Sequence, residues 1–103
     1  MTPGFAAPPA APWINICDRH NTAQVGSVTM IGRLPGAPYA VVVPGENPEA
    51  LALVRQCVPD AFISKIRRGK YIQAGVFRDR ATAEYLSVVL REQNLDARVI
   101  YLP

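Results

Sequence analysis

Tyr39, Tyr71, Gln73 and Arg98 are the side chains of this sequence best suited to hold a polar ligand. A glutamine amide offers two N–H donors and a carbonyl acceptor. A tyrosine ring can stack on an apolar ligand face while its hydroxyl hydrogen-bonds. Strand alternation puts Ile72, Ala74 and Val76 on one face and Tyr71 and Gln73 on the other. With the apolar set turned toward helices, Gln73 is expected on an open face. Tyr39 is expected beside Tyr71 on a neighbouring strand of that face, and Arg98 reaches it from the last strand. Each also has an ordinary reading: a solvated strand residue for Gln73, cross-strand packing for the tyrosines, and an edge charge for Arg98.

The remaining reactive groups form no catalytic pattern. His20 is the only histidine, and although Asp18 is near it, no serine or cysteine sits in a nucleophile motif. Asp79, Glu84, Glu92 and Asp96 fall at helix ends and on exposed helix positions, as capping or solubilising charges. No phosphate loop or dinucleotide motif is present. Cys17 and Cys57, without a CxxC spacing or a histidine cluster, make no metal site; they are either a disulfide or two buried thiols. The expectation is a non-catalytic chain with no cofactor and no metal. Lys65, Arg67, Arg68 and Lys70 form a basic cluster that reads as a charged turn, although such a cluster also suits an anionic polymer.

These groups must be positioned by strands and helices, and the pattern is legible. Tyr39 to Val43 reads as a strand. Asn47-Pro48-Glu49 opens a helix with an N-cap, a proline at the first helical position and an acid favoured by the helix dipole. Leu51, Val54 and Val58 lie on one side of that helix, with Ala50, Leu53 and Cys57 beside them. Ala61 to Ile66 and Tyr71 to Phe77 read as strands paired through the basic Gly69 turn. Asp79 is the N-cap of a second helix with an apolar stripe at Ala83, Leu86, Val89 and Leu90. Asn94 tolerates the left-handed conformation needed at its end. Ala97 to Leu102 is the last strand. The order β-α-β-β-α-β predicts an α+β fold of ferredoxin-like type. Two helices would cover one face of a four-stranded antiparallel sheet and leave the other face open.

The run Tyr71, Gln73, Gly75, Phe77, Ala81, Ala83, Leu86, Leu90, Asn94, Ala97 and Val99 resembles one repeat of the SPOR (sporulation-related repeat) family of bacterial peptidoglycan-binding domains. Tyr39 in the first half corresponds to Tyr71 in the second, and such domains are built from two repeats, so the resemblance covers residues 38 to 102. It implies that Gln73 contributes to glycan binding, and that the ligand is glycan strands at the cell envelope. Three positions depart from the pattern: Asn94 replaces a glycine, Val76 a common serine, and Val41 stands at the Gln position of the first repeat. The alternative is a ferredoxin-like module that binds RNA or a protein through its open face. The RNA-recognition module needs aromatics inside the strand after the glycine, where this chain has Ile72, Gln73, Ala74 and Gly75. Nucleic acid is therefore not the expected partner.

Length and charge agree with a small binding domain. One hundred and three residues predict one compact unit, and a formal charge of +3 only weakly favours anionic partners. No apolar run approaches the roughly 18 residues of a membrane span. The start, MTPGFAAPPAAPW, lacks the basic and apolar regions of a secretory signal and reads as an extended Pro/Ala linker. Residues 1–37 are expected to be linker and irregular segment, with a short hairpin or edge strand within 21–36. Residues 38–103 are expected to be the domain, monomeric. The linker favours a piece of a longer exported protein, hence periplasm or cell envelope, over a cytoplasmic chain.

Overall fold

Both helices begin as their caps dictate. The Asn47 side chain accepts hydrogen bonds from the backbone N–H groups of Glu49 and Ala50, with Pro48 at the first helical position of α1, Pro48–Cys57. The Asp79 carboxylate accepts from the Thr82 N–H and hydroxyl at the start of α2, Arg80–Arg91. Asn94, at φ 65°, turns the chain out of α2. The computed structural model describes residues 16–66 and 69–102. Its strands are β1, Thr22–Val25; β2, Val28–Ile31; β3, Tyr39–Pro44; β4, Phe62–Ile66; β5, Gly69–Phe77; and β6, Arg98–Tyr101.

Among the described residues the chain is thus a small α+β protein with two antiparallel sheets. β1 and β2 form a separate hairpin, as the 21–36 stretch suggested. The main sheet has the strand order β4-β5-β3-β6, antiparallel at every pairing. Both helices pack on one face of it. Val54, Cys57 and Val58 of the α1 region and Ala83, Leu86 and Leu90 of α2 close over Val41, Val43, Ile72 and Ala74. The apolar stripe predicted for α2 is the buried one, with Val89 partly buried beside it.

The other face is not wholly open, which corrects the expectation. Ala40, Val42, Tyr71 and Val76 form a second apolar cluster there with Ala37, packed against Leu34, Ile100 and Leu102. Val76 was expected on the helix side. A β-bulge moves it: Val41 pairs with Gly75 but Val42 pairs with Gln73, so Ala74 is an extra residue in β5. Two alternation phases therefore meet at Ala74, and beyond it Val76 faces away from the helices while Phe77 faces them. Gly75 follows the bulge where no side chain fits, since a Cβ there would lie 2.7 Å from His20 Cβ.

The segment expected to be irregular is fastened to the sheet. Ile16 is buried in the helix-side core. Cys17 and Cys57 form a disulfide across 40 residues, which settles the alternatives left open by spacing alone. His20 accepts from the Val76 N–H through its backbone oxygen, donates from its ring to the Ile16 carbonyl, and lies 4.8 Å from the Phe77 ring. Residues 16–37 are thus in contact with the unit expected to begin at residue 38. The linker reading of residues 1–13, and the side chains of Trp13, Ile14, Arg67 and Arg68, lie outside the described residues.

Candidate functional site

Three of the four predicted ligand residues share the face turned away from the helices. Tyr71 and Gln73 stand two apart on β5, before the bulge, and Val42 of β3 pairs with both Gln73 and Arg98. Gln73 and Arg98 therefore lie in one row two strands apart, about 10 Å at ordinary strand spacing. Tyr39 is not on this face. In β3 it alternates with Ala40 and so sits on the helix side with Val41 and Val43, partly buried against that core. Its ring meets Tyr101 edge-on at 5.5 Å. Tyr39 and Tyr71 do lie on neighbouring strands, β3 and β5, but on opposite faces and at opposite ends: Tyr39 pairs with Phe77, and Tyr71 with Pro44 at the far end of β3.

Gln73 is on the expected face but is not solvent-exposed, being only 4% accessible. Its Nε2 donates to Asn21 Oδ1 at 2.9 Å and to the Gly32 carbonyl at 3.0 Å. Both neighbours are acceptors, so the amide orientation is fixed by chemistry. No hydrogen bond engages its Oε1 among the described residues. Tyr71 is 8% accessible and its hydroxyl likewise has no partner among them. Both line a groove of about 390 Å³ with Ser64, Phe62, Ile31, Gly32, Arg33 and Leu102. Phe62 and Ser64 are there because β4 pairs them directly with Gln73 and Tyr71. The groove thus brings the apolar side chains of Ile31, Phe62 and Leu102 together with Arg33, Ser64 and two polar residues, Tyr71 and Gln73, whose hydroxyl and amide carbonyl are unpartnered among the described residues. Buried polar groups without partners are rare, and a ligand or water that completes them gains accordingly.

Tyr71 also borders a second depression of about 370 Å³, lined by Val42, Pro44, Gly69, Lys70, Arg98 and Ile100. Arg98 is exposed and makes a two-point ion pair with Asp96, its guanidinium 3.2 and 2.9 Å from the two carboxylate oxygens. That hydrogen bond first, and the charge attraction with it, raises the Arg98 pKa and lowers that of Asp96. Lys70, one of the four residues of the basic cluster, pairs with Glu46 at 2.9 Å.

Asp60 is the residue sequence reasoning missed. Its carboxylate accepts from the His20 N–H, the Asn21 N–H and side-chain amide, and the Thr22 hydroxyl. Burial alone would raise its pKa, but these hydrogen bonds, with Thr22 the strongest, outweigh burial and hold it below the usual carboxylate value. The partners lie 38 to 40 residues away, so no local pattern marked it. Among the described residues His20 contacts Ile16, Asp60, Val76 and Phe77, and no group of three or more His, Cys, Asp or Glu side chains is placed to hold a metal ion. No helix among them is long and apolar enough to cross a membrane. Compared with family models, curated proteins and solved structures, the chain finds no match.

Proposed function

We propose that this chain is a non-catalytic, SPOR-like domain that binds peptidoglycan glycan strands through the face of its sheet turned away from the helices. The observation that carries the reading is a groove lined by Ile31, Phe62 and Leu102 together with the buried residues Tyr71 and Gln73, whose hydroxyl and amide carbonyl have no hydrogen-bond partner among the described residues. A sugar ring has that mixed character: hydroxyls and N-acetyl groups around an apolar face. Arg98 and Lys70 border the adjoining depression, so a ligand longer than one ring would continue past Tyr71 toward them. The element order from β3 to β6 and the strand order β4-β5-β3-β6 support the ferredoxin-like arrangement that the resemblance implies. The Cys17–Cys57 disulfide supports an oxidising compartment such as the periplasm.

Co-sedimentation with purified sacculi tests the reading. Tyr71→Phe is the informative variant, because it deletes a hydroxyl that no other described side chain uses. Affinity should fall roughly three- to tenfold, the worth of one hydrogen bond to a neutral ligand, with the thermal midpoint unchanged. Salt should matter little. Steep loss of binding with salt, or tighter binding to single-stranded RNA than to sacculi, would favour the nucleic-acid alternative instead.

A further inference from the structure

Asn21 does not line the groove, yet it sets the chemistry there. Its side chain is fully buried. Its Nδ2 donates to Asp60 Oδ1 at 3.3 Å and to the Ala74 carbonyl at 3.0 Å, which leaves only its Oδ1 to face Gln73. That oxygen, with the Gly32 carbonyl, consumes both N–H groups of the Gln73 amide. Asp60 holds the arrangement from behind through the backbone of His20 and Asn21 and the Thr22 hydroxyl.

We propose that Asn21 is a positioning residue for the groove. It fixes the Gln73 amide so that only the carbonyl oxygen remains for a ligand, and the site then selects a group that donates a hydrogen bond, such as a sugar hydroxyl or an acetamido N–H. A carboxylate or phosphate oxygen finds no donor at Gln73 in this orientation. The segment from residue 16 to 33 is on this account part of the binding site rather than a lead-in to the domain. The proposal rests on the glycan reading for the identity of the ligand, and on the hydrogen-bond network for the role of Asn21.

The test is a double-mutant cycle on Asn21 and Gln73, titrated by calorimetry with a soluble β-1,4-linked N-acetylglucosamine tetramer. Gln73→Ala should weaken binding roughly three- to tenfold. Asn21→Ala should weaken it by a similar factor, although it removes no atom that lines the groove. The double variant should be no weaker than Gln73→Ala within roughly twofold, because the second change removes nothing that still acts on the ligand. A merely structural Asn21 gives multiplying losses instead, which would overturn the role while leaving the glycan reading intact. Failure of the wild-type chain to bind both the tetramer and sacculi would overturn both.

A second measurement needs no ligand. The Gln73 side-chain amide protons, followed by NMR, should exchange slowly with solvent in the wild-type chain and quickly in Asn21→Ala. Should Asn21→Ala fail to fold, Asp60→Asn takes its place, since it keeps the size of the side chain and removes the charge that holds the segment. Faster Gln73 amide exchange and weaker tetramer binding in Asp60→Asn support the proposal. Unchanged exchange and affinity overturn it.

Discussion

The two faces of the main sheet are closed by different physics. On the helix side, Ile72, Leu86, Leu90, Val54 and Val58 are almost wholly removed from water, and nearly every contact is apolar. There the favourable term scales with area and tolerates small shifts in geometry. On the opposite side the apolar cluster is small, and the cover is held by one carboxylate, Asp60, and two buried amides, Asn21 and Gln73, while the disulfide ties the start of that segment to α1 on the helix side. Hydrogen bonds there contribute little net stability when satisfied but cost much when one partner is lost. The helix side is therefore where stability comes from, and the polar side is where orientation comes from. A ligand site needs the second property, and the unpartnered groups lie on that side.

Removing helix-side area should give the largest effect. Leu86→Ala is expected to cost about 2 to 5 kcal/mol in denaturant unfolding, because the leucine is fully buried. A loss below about 1 kcal/mol would mean that the apolar core is not the main support. Next comes the disulfide. Replacing both Cys17 and Cys57 by alanine frees a 40-residue loop, and the chain-entropy relation gives about 4 kcal/mol for that length. The measurement that sharpens the comparison is amide exchange: protection at His20 to Thr22 should fall further than protection at Leu86 or Leu90.

Asp60→Asn should cost less, and its effect should depend on pH. The folded-state pKa of Asp60 is lowered, so its stabilisation is present above the ordinary carboxylate value near 4 and is lost as pH falls through the lower folded value. The gap in thermal midpoint between wild type and variant should hold from pH 7 to about 5 and close in more acidic buffer. A gap that widens with acid would contradict the sign. Gln73→Ala should cost stability as well as affinity, because it strands Asn21 Oδ1 and the Gly32 carbonyl; solvation of an exposed side chain alone would have predicted no change in stability. Glu92→Ala should be smallest, under about 0.5 kcal/mol, as an exposed change at the end of α2.

Local chemistry was legible where it acts over a few residues. Asn47 and Asp79 cap their helices, Asn94 turns out of α2, and the α2 stripe is buried as its spacing predicts. Face assignments held as far as Gln73 and failed at Val76, because alternation assumes an unbroken strand and the extra residue at Ala74 resets it. Tyr39 was misplaced because a sequence repeat says which elements correspond and nothing about how antiparallel strands meet. The burial of Gln73 was illegible for a different reason. Its partners Asn21 and Gly32 are 52 and 41 residues away, in a stretch without strong periodicity, and a polar side chain carries no mark that tells a solvated amide from an internally satisfied one.

The hydrogen bonds that residues 20 and 21 make to β5 have one more consequence. β4 begins at Phe62, opposite Gln73, so β5 from Ala74 to Phe77 has no β4 residue beside it. The His20 carbonyl accepts from the Val76 N–H and the Asn21 side-chain amide donates to the Ala74 carbonyl, which fills that bare margin without adding a full strand. An unfilled margin is a template on which a second chain can pair, the first step of strand exchange or aggregation. The fastened segment leaves less of that margin open to such pairing, and the Cys17–Cys57 bond ties the start of the segment to the end of α1.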